Sequence, residues 1–166
     1  MNWLGKLVQR NIQSDDSILD LGSGIMQATD ELNAKHILGV DIFDNYLNHI
    51  KHKFLTVKLN MNETDRFMDD SYDIVLCLDV IEHLEKQLAL HIISECKRIC
   101  RKRAIIYTPH KFDDNKKAVP NSWGLGENPL QEHLCHIYLK DLESEGYSVS
   151  NPVDEGYLGV YIKNGN

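Results

Sequence analysis

The sequence predicts an α/β domain in which helices cover both faces of a doubly wound, largely parallel sheet. Three observations point there. Short apolar runs rich in β-branched residues alternate with helical stretches, the pattern of βαβ units with right-handed crossovers. The composition is that of a folded domain, with 166 residues, 42% hydrophobic and 26% charged, enough chain to bury a core without a disulfide or metal staple. A glycine pair follows the first apolar run directly, at the strand edge where open α/β sheets bind ligands.

Taken in order, Met1-Asn2-Trp3-Leu4-Gly5-Lys6 reads as an amphipathic helix and not as an export signal. Five strands should follow, at Ser17–Leu21, His36–Asp41, Phe54–Leu59, Tyr72–Leu78 and Arg103–Thr108. Their apolar residues face both ways, as in buried parallel strands. A helix is expected after Gly24, presenting free N–H groups to a ligand. The clearest helix is Leu84–Cys100, where Leu84, Leu88, Ile92, Cys96 and Ile99 recur at steps of four and three. Lys97, Arg98, Arg101, Lys102 and Arg103 crowd its end. They form an anion site or, the stronger reading, complement the negative end of the helix dipole and keep the surface wet. Pro109, Pro120, Pro129, Gly124 and Gly126 make residues 109–131 a loop of lid length. Ile137–Gly146 then reads as a helix, and Tyr147–Val153 and Gly159–Lys163 as strands.

Charge and composition narrow the function. Lys plus Arg is 18 and Asp plus Glu is 25, a net charge of −7, with a pI near 5.6. That is a poor footing for unassisted nucleic-acid binding. No apolar run approaches the roughly 18 residues of a membrane span. The four cysteines lack a C-x-x-C pair and are expected to be reduced thiols in a cytoplasm.

The chemistry should sit beyond the strand ends. The first strand runs into Asp20-Leu21-Gly22-Ser23-Gly24, and two glycines let a ligand approach the backbone closely. A dinucleotide fingerprint would place a third glycine at position 27, where this chain has Gln27. A nicotinamide oxidoreductase is therefore disfavoured. A carboxylate at the strand end repels a pyrophosphate and suits an amino-bearing ligand. Asp41 ends the second strand about 20 residues on, placed to accept both hydroxyls of a ribose. The fourth strand ends Leu78-Asp79-Val80-Ile81-Glu82-His83-Leu84. Asp79 and Glu82 match a capping box. His83 is either a helix-start residue or, since imidazole titrates near neutrality, a base for a hydroxyl nucleophile.

Together Ile18–Gly24, Gly39–Asp41 and Tyr72–Leu84 resemble the class I S-adenosylmethionine-dependent methyltransferases, in the branch with LDLGSG, GVDI and YDIVLCLDVIEHL. The resemblance covers about residues 15–110. It implies a Rossmann-like, seven-stranded, mostly parallel sheet with an antiparallel last strand. It also implies one S-adenosylmethionine-binding domain over residues 1–166, closed by a lid or substrate loop at 109–136. By resemblance, Asp20, Gly22 and Gly24 line the methionine part of the cofactor, Asp41 holds the ribose, and Ile42 packs near the adenine. Asn60 and Met61 stand where the family often has an Asp-Ala pair at the adenine edge, while Leu78 and Asp79 complete the cofactor side. The family's third glycine is absent at Met26. Thr108-Pro109-His110 through Asn128–His133 is similar to a segment that closes over substrate in some relatives, which implies that Trp123, His133 and His136 touch the acceptor. Related branches hold a metal with a similar Glu-His pair. No third ligand stands at a recognisable spacing here, so no metal is expected.

These readings lead to an enzyme that moves a methyl group from S-adenosylmethionine, releasing S-adenosylhomocysteine, with His83 as catalytic residue. The expected acceptor is a small-molecule or sugar hydroxyl, not a membrane and not DNA. Amino-methylating relatives carry an [Asn/Asp]-Pro-Pro-aromatic run after the fourth strand, and Leu78-Asp79-Val80-Ile81 is not one. The alternative is a non-catalytic module on the same fold that acts through a protein partner.

Overall fold

The computed structural model describes residues 1–152 and 155–163. Its strands are β1 (Ser17–Leu21), β2 (His36–Asp41), β3 (Leu55–Lys58), β4 (Tyr72–Leu78), β5 (Cys100–Pro109), β6 (Ser148–Ser150) and β7 (Gly156–Ile162), and its helices are α1 (Trp3–Gln9), α2 (Asp44–Ile50), α3 (Lys86–Ile99) and α4 (Leu139–Glu143). Among the described residues the strands form one seven-stranded sheet in the order β3-β2-β1-β4-β5-β7-β6. Pairings from β3 through β5 are parallel. β7 runs antiparallel to both β5 and β6. This is the predicted sheet with its antiparallel last strand.

Alternation along the strands builds two cores. Leu19, Leu21, Val75, Cys77, Ala104 and Ile106 face α3 and α4, meeting Ile92, Ile93, Cys96, Ile99 and Leu142. Ile18, Ile74, Leu76 and Ile105 point the other way, onto Leu4 and Val8 of α1 and onto Leu32. Each side chain of this kind, fully removed from water, contributes about 1.5–3 kcal/mol.

Several expectations change. No helix forms between β1 and β2. Residues 22–35 are turns, because Gly22, Gly24 and Met26 all take positive φ and a left-handed residue interrupts right-handed helical hydrogen bonding. α1, together with Leu32 of this segment, covers that face of the sheet instead. β5 starts at Cys100, before the predicted Arg103, because Cys100 pairs with Tyr72 of β4. The helix before it correspondingly ends at Ile99. The tail strand predicted over Tyr147–Val153 is Ser148–Ser150, and Val153 lies outside the described residues.

Four of the cations at the end of α3 and the start of β5 are paired one by one. Lys97 reaches Glu145, Arg98 reaches Glu95 and Asp69, Arg101 reaches Asp73, and Lys102 reaches Asp16. They complement local carboxylates and do not assemble an anion site. Cys77, Cys96, Cys100 and Cys135 are free and buried. Among the described residues, no helix is long and apolar enough to cross a membrane.

Candidate active site

The strand order reverses between β1 and β4, and a cleft opens beyond their C-terminal ends, as expected at such a switch point. It holds two adjoining cavities, of about 440 Å³ and 290 Å³. Gly22, Asp41, Tyr46, Asp79, His83 and Gln131 line both. Volumes of this order suit small ligands.

The glycine loop forms the wall of the larger cavity. Gly22 and Ser23 donate their N–H groups to the Val40 carbonyl at 2.8 and 2.9 Å, which bends the chain out of β1. Gly22 has φ +71, and a Cβ there would lie 2.4 Å from Cγ2 of Val80, so no other residue fits without displacing Val80. A Cβ on Gly24 would come 2.9 Å from the Trp123 indole. The Ser23 hydroxyl is buried in the same loop with no protein partner, a polar atom suited to a ligand group.

Two buried carboxylates flank the loop. Asp41 accepts from Gly24 N at 2.9 Å through Oδ2 and from Phe43 N at 2.9 Å through Oδ1. It thus ties the glycine loop to the end of β2. Burial raises its pKa, against those backbone N–H groups. Each oxygen keeps further acceptor capacity for hydroxyl donors. Asp20 accepts from Thr29 Oγ1 at 2.7 Å. Burial pushes Asp20 up to about 7, opposed by Thr29 and assisted by the Asp41 charge. A cationic ligand group beside it would stabilise the ionised form.

The smaller cavity is the apolar one. Ile42, Leu59, Met61, Val80, Leu84 and Leu88 line it. Asn60 lies at its edge and caps the 3₁₀ turn Met61–Arg66, accepting from Asn62 N at 3.0 Å. That ties up one lone-pair direction of its side-chain carbonyl and leaves its amide hydrogens as donors.

The expected loop over residues 109–136 carries short 3₁₀ turns at Lys116–Ala118, Ser122–Gly124 and Pro129–Gln131, and it roofs the glycine loop. Trp123, at φ +52, lies against Gly24 and meets Tyr46 edge to face at 4.9 Å. The buried Asn128 donates to Tyr46 Oη at 3.0 Å, and Asn45 donates to the Leu125 carbonyl at 2.8 Å. Trp123 therefore stands over the glycine loop. Tyr46, which anchors this roof, carries no motif by which the sequence could have marked it.

The capping-box reading of Asp79 and Glu82 fails. Asp79 takes φ +54, a left-handed conformation incompatible with an N-cap. The chain then makes a 3₁₀ turn at Ile81–His83 before α3 begins at Lys86. Asp79 is exposed to the cleft, and desolvation by the protein packed around it raises its carboxyl. Glu82 is 4% exposed and accepts from Thr108 Oγ1 at 2.9 Å. Burial and the Asp79 charge push its pKa well above the carboxylate range.

His83 lines the cleft with its Nδ1 donating to the Glu132 carbonyl at 3.2 Å, a bond that leaves the lone pair on Nε2. Burial first, then His133, lower its pKa to about 4. Its ring meets His133 edge to face at 4.6 Å. His133 also lines the larger cavity, so the fold joins two expected residues 50 positions apart. His136 is not brought in. It lines neither cavity, because its Nε2 faces the His110 carbonyl at 3.0 Å and its ring packs at a tilt against Tyr138. Leu78 lines the larger cavity.

A family profile described as a methyltransferase domain matches residues 19–108, from within β1 to the end of β5. An uncharacterised protein of Methanocaldococcus jannaschii, MJ0638, is 26% identical over 139 residues, which are 82% of this chain and 57% of that protein. The chain thus spans little more than half the length of that relative. The PH0226 protein of Pyrococcus horikoshii shares the fold at TM-score 0.69 and 16% identity, over 97% of this chain and 88% of that one. An S-adenosylmethionine-dependent methyltransferase from Archaeoglobus fulgidus does so at TM-score 0.67 and 17% identity, over 96% and 94%. The magnesium protoporphyrin IX methyltransferase of Synechocystis, solved with S-adenosylhomocysteine, follows at TM-score 0.65 and 16% identity, over 97% and 80%. The profile match takes in more than half of the 166 residues, and the chain belongs to the methyltransferase domain family.

Proposed function

We propose that this chain binds S-adenosylmethionine in the cleft and transfers its methyl group to an oxygen of a small acceptor. The observation that carries the reading is the switch-point constellation, in which a glycine loop is clamped to Asp41 and flanked by the buried Asp20. Asp41 suits the ribose hydroxyls, Asp20 and the Ser23 hydroxyl suit the polar amino-acid end, and the Ile42–Met61 cavity suits a flat apolar ring. The cofactor supplies an electrophilic methyl group on a sulfonium. The protein's part is to hold the acceptor close and in line, which lowers the barrier without covalent help.

The acceptor side is the corner formed by Asp79, His83 and His133, with Asn115 and Gln131 on the same cavity wall. Polar side chains dominate it, which suits a hydroxylated metabolite or sugar. His83 acts on the acceptor there. The four free, buried thiols fit the reducing compartment expected from the sequence.

Calorimetry is expected to give micromolar affinity, about −8 kcal/mol, for both S-adenosylmethionine and S-adenosylhomocysteine. Folded protein that gives no heat with either ligand overturns the reading. Asp41→Ala tests the assigned geometry. Loss of charge-assisted hydrogen bonds to the ribose costs roughly 1.5–3 kcal/mol, so S-adenosylhomocysteine should bind about ten- to a hundredfold more weakly. The melting temperature should fall as well, because Gly24 N and Phe43 N lose their acceptor. Unchanged affinity in that variant would take Asp41 out of the site.

A further inference from the structure

At the far corner of the larger cavity three side chains converge. Glu82, His83 and His133 each bring one ligand-competent oxygen or nitrogen within 4.8 Å of the other two. They arrive from two segments. Glu82 and His83 belong to the 3₁₀ turn after β4. His133 comes from the returning end of the 109–136 segment. Leu134 N and Cys135 N lock that end to the Glu82 carbonyl at 2.8 and 3.1 Å.

The corner is rich in lone pairs and poor in donors. Glu82 is 4% exposed. Its Oε2 is satisfied by Thr108, but its Oε1 is buried with no hydrogen-bond partner. Leaving such an oxygen unmatched is costly. Nδ1–H of His83 is spent on the Glu132 carbonyl, which leaves Nε2 as the ligand nitrogen. The same device sets the tautomer of metal-bound histidines. His133 N donates to the Asp114 carbonyl at 3.0 Å, which fixes the backbone that carries the ring. Among the described residues lining this cavity there is no Lys or Arg to satisfy the carboxylate.

We propose that Glu82, His83 and His133 form a binding site for a divalent transition-metal ion. Two imidazoles and one carboxylate make a mixed donor set, suited to Mn²⁺, Co²⁺ or Zn²⁺ and less to Mg²⁺ or Ca²⁺, which prefer all-oxygen shells. Ligand bonds of about 2.0–2.2 Å put neighbouring donors about 3–3.5 Å apart, so the triangle closes by roughly 1 Å of side-chain movement. Three protein ligands leave coordination positions open, and these face the cavity shared with Asp79. An oxygen-bearing acceptor fits there as a further ligand. The site rests on the methyltransferase reading for what it would serve, and it makes His83 a ligand. The sequence showed only the Glu82-His83 pair, and the fold supplies the third member.

The test is a Co²⁺ titration of chelator-stripped protein, followed by visible d–d absorption and calorimetry. The expected result is one ion per chain at micromolar concentration, with nitrogen–oxygen ligation. His133→Ala, at a half-buried position outside the sheet, should keep its fold and bind at least about tenfold more weakly, and Glu82→Gln should do the same. No binding by the wild-type protein, binding indifferent to His133→Ala, or an intense thiolate-to-cobalt band would each overturn the proposal. Parallel calorimetry with S-adenosylhomocysteine keeps the two readings apart. Protein that binds the nucleoside but no Co²⁺ overturns the metal site alone, and the reverse overturns the methyltransferase reading alone.

Discussion

His83→Ala is expected to lower methyl transfer by roughly 10²–10⁴-fold while leaving S-adenosylhomocysteine affinity nearly intact. The ring lies against His133 and lines the same cavity as Asp79, away from the Asp41–Gly24 clamp that we propose holds the nucleoside side. Its orientation is fixed by the Glu132 carbonyl, so the side chain is preorganised for whichever role it plays. The measurement needs an acceptor, found first by screening hydroxylated metabolites and sugars, and then turnover and binding compared on folded protein. Chelation separates the two roles. If the nitrogen accepts a proton from the hydroxyl directly, wild-type turnover ignores a chelator. If it holds an ion, chelation silences the wild type, and added Co²⁺ or Mn²⁺ restores the wild type but not the variant. An alanine variant with wild-type turnover removes His83 from the reaction altogether.

How much of this was legible in the sequence depends on how local each signal was. The limits of β1, β2 and β4 agree with their apolar runs, because a parallel strand buried on both faces announces itself residue by residue. Asp20, Gly22, Gly24 and Asp41 were legible for a related reason, since each sits at the end of such a run. Arg101 and Lys102 carry charge and with Cys100 continue a helical period, yet the three form the start of β5 because Cys100 pairs with Tyr72 of β4. Nothing local encodes that choice. The Asp79–Glu82 spacing was misleading, because the left-handed turn at Asp79 sends Glu82 into the core instead of back to cap a helix. His133 could be suspected as a loop residue, but its partnership with Glu82 and His83 spans 50 positions and exists only once the 109–136 segment has folded back. Tyr46 had no signal at all, being one aromatic among the apolar residues of α2.

Asp20 should impose a pH dependence on the stability of the ligand-free protein. The residue is 2% exposed, and its pKa is raised from 3.8 to about 7, mainly by burial. Below about pH 4 both folded and unfolded chains carry this proton, and the group is neutral in the balance. Between the two pKa values the folded state keeps the proton while the unfolded state has lost it, so raising the pH favours unfolding. Stability is therefore lost as pH climbs towards the folded pKa. The cost by about pH 8 is on the order of 4 kcal/mol, at about 1.36 kcal/mol for each pH interval of one between the two pKa values. Asp20→Asn keeps an acceptor for Thr29 Oγ1 and cannot ionise. Its urea midpoint should match wild type near pH 4 and exceed it increasingly towards pH 8. The same substitution should weaken S-adenosylmethionine binding, because the carboxylate proposed to face the cofactor's amino group is gone. Stability and affinity then move in opposite directions at one residue, as at a site where a buried charge is kept for its ligand and not for the fold. Parallel urea curves for the two proteins across the whole pH range would show that Asp20 ionises as freely in the folded cleft as in the unfolded chain.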